Sequence, residues 1–497
     1  MTLNTKLDDF MANFPHEGLT FDDVSLVANY ADFLPADANT STRLTSRINL
    51  NIPFVSSAMD TVTESKMAIA MAIQGGIGVI HKNLPPEQQS SIVGSVKHHL
   101  NGFISDPITF RTGQTLADVK HTREEKGYTF SGFPIMNDSN ELVGILTAAD
   151  IKFASDANAK LEDIMTSDLV TAPPTTDIKT AYQIMVENKI GKLPIVENGK
   201  LLGLYSFADV QSLMLNANPL YNRDDKHRLR VAAAIGPGDN ERVEILNDEG
   251  VDVVVVDTAH GHSAGVIEMV KWVRKNYDHI DVVAGNIATG EAAIALRDAG
   301  AHAVKVGIGP GSICTTRVVT GVGTPQITAI YQCVKALEDS IPVIADGGIR
   351  YSGDVAKAIV AGASSVMMGS VLAGTDESPG EKIIYQGRQY VVYRGMGSLG
   401  AMKSNRGSRE RYGQSDVDQD DLVPQGIEGM IPYSGGLKQV LTQFSGGLRA
   451  SMGFIGCKTI DDARQTARFV RISTSGATEG HPHNVTITKE APNYRIS

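Results

Sequence analysis

The stretch "VDVVVVDTAHG", Val251 to Gly261, decides the fold. Four valines, Val253 to Val256, run without alternation and stop at Asp257 and Thr258. A strand wet on one face alternates apolar and polar residues. An unbroken run is buried on both faces, the pattern of a parallel sheet covered by helices. Seven more runs of this kind occur: "PFVSSAMD" from Pro53, "GIGVIH" from Gly76, "LRVAAAIG" from Leu229, "IDVVAGN" from Ile280, "AHAVKVGIGPG" from Ala301, "IPVIADGG" from Ile341 and "SSVMMGS" from Ser364. Segments with apolar residues at i, i+3 and i+4 lie between them. "TESKMAIAMAIQGG" opens on Thr63 as a cap and ends in glycine; "SAGVIEMVKWVRKNY", "TGEAAIALRDAGA", "TPQITAIYQCVKALED" and "SGDVAKAIVAGA" behave likewise. Eight strands alternating with helices predict an α/β fold of the (β/α)8 barrel type. A doubly wound sheet is the alternative, disfavoured because the rhythm from Val251 to Gly374 shows no switch point.

The rhythm fails between His81 and Leu229, where an internal repeat appears. "GFPIMNDSNELVGILTAADI" from Gly132 is echoed by "KLPIVENGKLLGLYSFADV" from Lys192, and Gly144, Thr147 and Asp150 recur as Gly203, Ser206 and Asp209. This pair resembles a tandem CBS module. The predicted organisation is a barrel built from residues 1–92 and 221–497, with the module at 93–220 and its repeats near 100–155 and 160–218. The hydroxyl and carboxylate of each repeat suit a purine nucleotide's phosphate and ribose. The alternative is that the repeats only pack and their Asp residues cap helices. Neither "TAAD" nor "SFAD" holds a basic residue, which argues against a tight polyphosphate site.

Composition narrows the class. At 497 residues two or three domains are expected. A net charge of -11 argues against a nucleic-acid partner, because phosphate backbones need basic surfaces. No apolar run reaches the ~18 residues of a membrane span, and "MTLNTKLDDFMANFPHEG" lacks the apolar core of a signal peptide, so the cytoplasm is expected. Cys314, Cys333 and Cys457 form no CxxC pair, which fits a reducing compartment. "HGH" at His260 and "HPH" at His481 each lack a third ligand nearby, so zinc is disfavoured.

Chemistry concentrates in "AVKVGIGPGSICTTRVVTGVGTPQ", Ala303 to Gln326. Its glycines, Gly307, Gly309 and Gly311, do not run straight into a helix, so a dinucleotide fingerprint is excluded. The loop follows the sixth strand and falls on the C-terminal face, where barrel enzymes place active sites. Cys314 sits there among Ser312, Thr315 and Thr316, with Arg317 near enough to favour a thiolate. Ser57, Asp257, Asn286 and Asp346 stand at the ends of other strands. Cys333 and Cys457 read as structural. The loops after strands seven and eight, Asp346 to Asp354 and Gly369 to Gly374, offer Gly347, Gly348, Gly369 and Ser370 to an anion, so a phosphorylated substrate is expected. From Gln386 to Asp421 the chain is glycine-rich, basic and aperiodic: a lid or a disordered segment. Its "RERY" presents Arg411 and Tyr412 to the site, or else is a solvated charge run.

"SSAMDTVTES", "DTAHGHS", "GNIATGE", "GIGPGSICTTR", "IADGGIRYSGD", "YRGMGSLGAM" and "GGLRASMG", in that order, resemble the inosine-5′-monophosphate (IMP) dehydrogenase family over nearly the whole chain. The resemblance implies that Cys314 attacks C2 of IMP and that hydride passes to NAD. A flap at about 386–432 then closes and water releases xanthosine monophosphate, the committed step toward guanine nucleotides. It implies that Thr316, Arg411 and Tyr412 activate water. Ser57, Ser312, Asp346, Gly348, Gly369, Ser370, Tyr393, Gly395, Met396, Gly397 and Gln425 would hold IMP, and Asp257, Asn286, Gly307 and Gly309 would meet the cofactor. K+ would take carbonyls of Gly307, Gly309 and Cys314, with Glu479, Gly480 and His481 from a neighbouring subunit of a homotetramer or octamer. Many bacterial relatives carry Glu where Gln425 stands. An amide cannot accept the water's proton, so more of the hydrolysis falls on Arg411. A guanidinium is an awkward base, its pKa lying above ~12. Met430 also replaces a common Arg, without an evident reason. The rivals are a GMP reductase, which shares barrel, cysteine loop and phosphate site, and a non-catalytic nucleotide sensor.

Overall fold

The computed structural model describes residues 4–494 except 16, 100–101, 105–106, 127–131, 155 and 216–219. The chain divides into two compact units: Met1–Lys97 with Leu220–Asn222 and Arg230–Ser497, and His98–Pro219 with Arg223–Leu229.

The first unit is a closed barrel of eight parallel strands: β1 (Phe54–Ser56), β2 (Ile77–Ile80), β3 (Ala232–Ile235), β4 (Val253–Asp257), β5 (Asp281–Ile287), β6 (Ala303–Val306), β7 (Val343–Asp346) and β8 (Ser365–Met368), with β8 pairing β1. The eight apolar runs of the sequence are these eight strands. The two-residue period of a strand sorts their side chains. Val55, Val253, Val255, Val283, Ala303, Ile344 and Met367 fill the barrel's interior cluster. Two residues further along the same faces, at the C-terminal mouth, come Ser57, Asp257, Lys305 and Asp346. Polar groups are thus carried inward at the last step of apolar strands. In β5 the register shifts between Gly285 and Ile287, a bulge that takes Asn286 out of the ladder and turns it to the same place.

The covering helices follow their periodicity, with one correction. Thr289 caps the helix Gly290–Asp298 through its side chain. Thr63 does not cap the helix after β1, which begins at Ser65 with Glu64 before it. Its hydroxyl instead donates to the Ser57 carbonyl at 2.7 Å and lies 2.8 Å from Ser56 Oγ, tying the loop to the strand end.

The stretch after the barrel is ordered. Strands β9 (Lys382–Tyr385), β10 (Arg388–Arg394) and β11 (Glu428–Pro432) form an antiparallel sheet, and helices Leu399–Ser404 and Arg406–Arg411 lie between β10 and β11.

Among its described residues the second unit holds two three-stranded sheets, one from Phe103–Ile104, Lys192–Glu197 and Lys200–Ser206, the other from Phe110–Arg111, Phe133–Met136 and Leu142–Leu146. The repeat is visible in detail. Both hairpins carry a register irregularity at the same point, Ile135/Met136 and Ile195/Val196. Gly144 and Gly203 recur because neighbours press on them: a Cβ would lie 2.1 Å from Met165 Sδ in one and 2.5 Å from the Ile104 carbonyl in the other. Thr147 and Asp150 form a capping box, whereas Ser206 makes no side-chain cap. The repeat ends expected at 100, 155 and 218 fall outside the described residues.

Candidate active site

The mouth of the barrel opens into a cavity. Cys314 lines it, partly exposed, on a loop shaped by glycines at φ +149 (Gly307) and +77 (Gly309). The Arg317 side chain leaves no room for a Cβ on Gly309, whose nearest approach would be 2.6 Å. Arg317 donates to the carbonyls of Ile308 at 2.9 Å and Thr324 at 2.6 Å, so its donors close the loop. Burial pulls its pKa down, with the Cys314 charge opposing. Cys314 Sγ lies 3.1 Å from Thr316 Oγ1 and 3.7 Å from the Gln425 carbonyl.

The rim charges form one network. Lys305, nearly fully buried, lies 2.9 Å from Asp257 and 2.6 Å from Asp346, and also donates to Asn286. Asn286 Nδ2 donates to the Gly307 carbonyl at 2.7 Å and to Asp346 at 2.9 Å. The sequence reading missed Lys305. Its signal was a lone lysine at the inward parity of an apolar strand.

The flap is docked on this mouth. Arg411 is ion-paired with Asp257, and its carbonyl accepts from Ala259 N–H at 3.0 Å. Tyr412 lines the same cavity, and burial raises its pKa against the opposing charge of Arg411, so the phenol keeps its proton. Gly397 stands behind that ring rather than in the cavity, since a Cβ there would meet the Tyr412 ring at 2.7 Å. "RERY" is therefore not a solvated run: Glu410 too is paired, with Lys82 at 2.8 Å. The Gln425 backbone braces the cysteine loop, its carbonyl accepting from Thr315 N–H at 3.1 Å and its N–H donating to Gly397 at 2.9 Å.

The cavity also meets the loops after β7 and β8. Gly347 and Gly348 sit at φ +91 and +82, and a Cβ on Gly347 would meet Pro310 at 2.9 Å. Ser57, Ser312, Gly369, Ser370, Tyr393, Gly395 and Met396 complete the lining. Burial drives the Tyr393 phenol pKa strongly upward. A second cavity shares Thr258, Ile308, Thr316, Arg411, Tyr412 and Gln425 with the first and extends to Pro237, His260 and Ser263.

The expected residues of this chain's own cavity thus meet in one place, Gly397 excepted; Glu479, Gly480 and His481 are expected from a neighbouring subunit. Glu479, Gly480 and His481 are exposed and do not line the cavity; His481 packs near Tyr351 and lies 3.0 Å from the Tyr494 hydroxyl. Cys333 and Cys457 are buried, the former with its thiol pushed up to about 12 by burial. His260 and His262 face each other at 6.5 Å, and among the described residues no group of three or more His, Cys, Asp or Glu could hold a metal ion. Among those residues no helix is long and apolar enough to cross a membrane.

Residues 18–483 match the model of the IMP dehydrogenase / GMP reductase domain. The chain belongs to this family. An inosine-5′-monophosphate dehydrogenase from Pasteurella multocida is 52% identical over 97% of the chain and 99% of its own length. One from Escherichia coli K12 is 51% identical over 98% and 100%. Among solved structures, a GMP reductase from Trypanosoma brucei, with one cysteine changed to alanine and guanosine 5′-monophosphate bound, superposes with a TM-score of 0.81 at 38% identity. It covers 95% of this chain and 98% of that one. Membership in the IMP dehydrogenase / GMP reductase family implies a nucleotide cofactor.

Proposed function

We propose that the protein oxidises IMP to xanthosine monophosphate with NAD, the committed step toward guanine nucleotides, through a thioimidate on Cys314. The observation that carries the reading is the meeting of Cys314 and Thr316 with Arg411 and Tyr412, delivered by the flap, in a cavity floored by anion loops. Gly347, Gly348, Gly369 and Ser370 hold the phosphate, and Asp346 takes the ribose hydroxyls. This anchors the base with C2 at Cys314 Sγ. Sulfur bonds to C2 and the C2 hydrogen leaves as hydride, for which NAD supplies the acceptor. Water then attacks the same carbon, the C–S bond breaks, and the thiol returns.

Asp257 links the two halves. Its carboxylate is held by Arg411 here and is the natural partner of a ribose on the cofactor when the flap is away. The flap and the cofactor thus exclude one another, and one pocket serves two steps. In the hydrolytic step Thr316 and Tyr412 orient the water, and the Arg411 guanidinium stabilises the hydroxide as it forms. K+ suits the carbonyls of Gly307, Gly309 and Cys314, since an alkali cation is bound by backbone oxygens. Glu479 to His481 would reach it from a neighbouring subunit of a homotetramer or octamer. The second unit is read as a tandem CBS module binding a purine nucleotide. Three unbridged cysteines suit the cytoplasm.

The protein mixed with IMP and NAD+ should generate absorbance at 340 nm, faster when K+ is added. Consumption of NADPH with GMP instead would make it the reductase. Silence in both assays would leave the sensor reading.

A further inference from the structure

We infer that the loop after β2, Lys82 with Asn83, is the latch that positions Arg411 for the hydrolytic half of the reaction proposed above. Lys82 Nζ lies 2.8 Å from the Glu410 carboxylate and 3.0 Å from Asp239, with its side chain only 7% exposed. Asp239 in turn accepts from Gly236 N–H at 2.7 Å and lies 3.4 Å from the Arg242 guanidinium. Without the flap this socket holds two cations against one carboxylate. A surplus charge in a poorly hydrated place draws a counter-charge strongly. Glu410 supplies it.

The next residue meets the opposite field. Arg411 enters a socket where Asp257 and Asp346 face one ammonium, Lys305. Two adjacent flap residues of opposite charge thus fit two sockets of opposite excess, and the pair cannot be reversed without opposing both. Asn83 fixes the turn that carries them. Its side-chain Oδ1 accepts from Ser408 N–H at 3.2 Å, and its Nδ2 donates to Ser404 Oγ at 3.2 Å and to Asp60 at 2.9 Å. Gly407 passes so close that a Cβ would lie 2.4 Å from the Lys82 carbonyl. Neither Lys82 nor Asn83 lines the cavity of Cys314, so Lys82 acts through Glu410 and is a positioning residue.

The test is a double-mutant cycle with Lys82→Met, Glu410→Gln and both together. The first-turnover burst of NADH from IMP and NAD+ should stay within about twofold of the parent, while steady-state turnover falls about fivefold or more in each single variant. The double variant should be no slower than the worse single one, and the nucleotide bound covalently to the enzyme should accumulate. Equal losses in burst and turnover, unchanged turnover, or multiplied losses in the double variant would overturn the latch. Should Lys82→Met fold poorly, Glu410→Gln, on the half-exposed flap, gives the same readout. Trypsin provides a measurement free of catalysis: the variants should be cut between Lys403 and Arg411 sooner than the parent, and equal rates would also overturn the latch. Absence of any NADH burst in the parent protein would instead strike the reaction assignment, with proteolysis still deciding the latch.

Discussion

At the scale of the residue, the division of labour between Cys314 and Arg411 makes a sharp expectation. In the proposed reaction Cys314 forms the bond to the nucleotide, whereas Arg411, paired with Asp257, is carried to the site by the segment after the barrel. Removing the guanidinium leaves bond formation and hydride transfer intact and withdraws charge stabilisation from the water step. Arg411→Ala should therefore release about one NADH per site and then stall, with turnover down by about 100-fold or more. The covalent nucleotide should be visible by mass spectrometry of the stalled protein. Gln425 sharpens the effect, because an amide offers no alternative proton acceptor beside Thr316. Near-normal turnover would remove Arg411 from the mechanism.

At the scale of the element, the cysteine loop is held by Arg317 rather than by regular hydrogen-bonded structure. Gly309, at φ +77, passes against the Arg317 side chain. Gly309→Ala meets both obstacles at once: a left-handed backbone costing roughly 1–2 kcal/mol, and a steric clash with the group that closes the loop. The expected result is a modest fall in Tm with a much larger loss of NADH burst, because the loop shifts while the barrel stands. A variant with parental burst kinetics would show that the loop tolerates the shift. These loops were legible in the sequence because glycines, hydroxyls and the cysteine cluster where apolar runs end. The strands were legible because burial on both faces leaves an unbroken run. Three features were not. The β5 bulge that turns Asn286 inward depends on pairing with β6, which local pattern does not encode. The order of the flap depends on charges as distant in sequence as Lys82 and Glu410. The Thr63 hydroxyl chose Ser57 over a helix end, since a tertiary partner outcompeted the local cap.

At the scale of the whole molecule, the barrel separates chemistry from stability along its axis. The mouth carries the cavity, while the N-terminal ends of the strands carry a buried polar cluster. There Asp281, which opens β5, takes the Thr45 hydroxyl and the Arg47 guanidinium, and His302, just before β6, accepts from Val282 N–H through Nδ1 at 2.9 Å. That bond requires a neutral imidazole. Burial lowers the His302 pKa from 6.5 to about 4, with Asp281 and Asp278 opposing the shift and Arg47 and Arg274 adding to it. Between those two values the unfolded chain takes up a proton that the folded one refuses, so stability is full above pH 6.5 and falls as acid is added toward pH 4. His302→Gln keeps an acceptor for Val282 and removes the titration. The parent's Tm should drop more between pH 7 and pH 5 than the variant's, the difference being the histidine's share. Because the cluster pins β5 to β6 at their starts, acid should open the closed sheet at this seam. Protection of the Val282 amide, measured against the intrinsic exchange rate at each pH, should then fall with acid in the parent and stay nearly level in the variant; parallel Tm profiles would assign the acid sensitivity to the carboxylates instead.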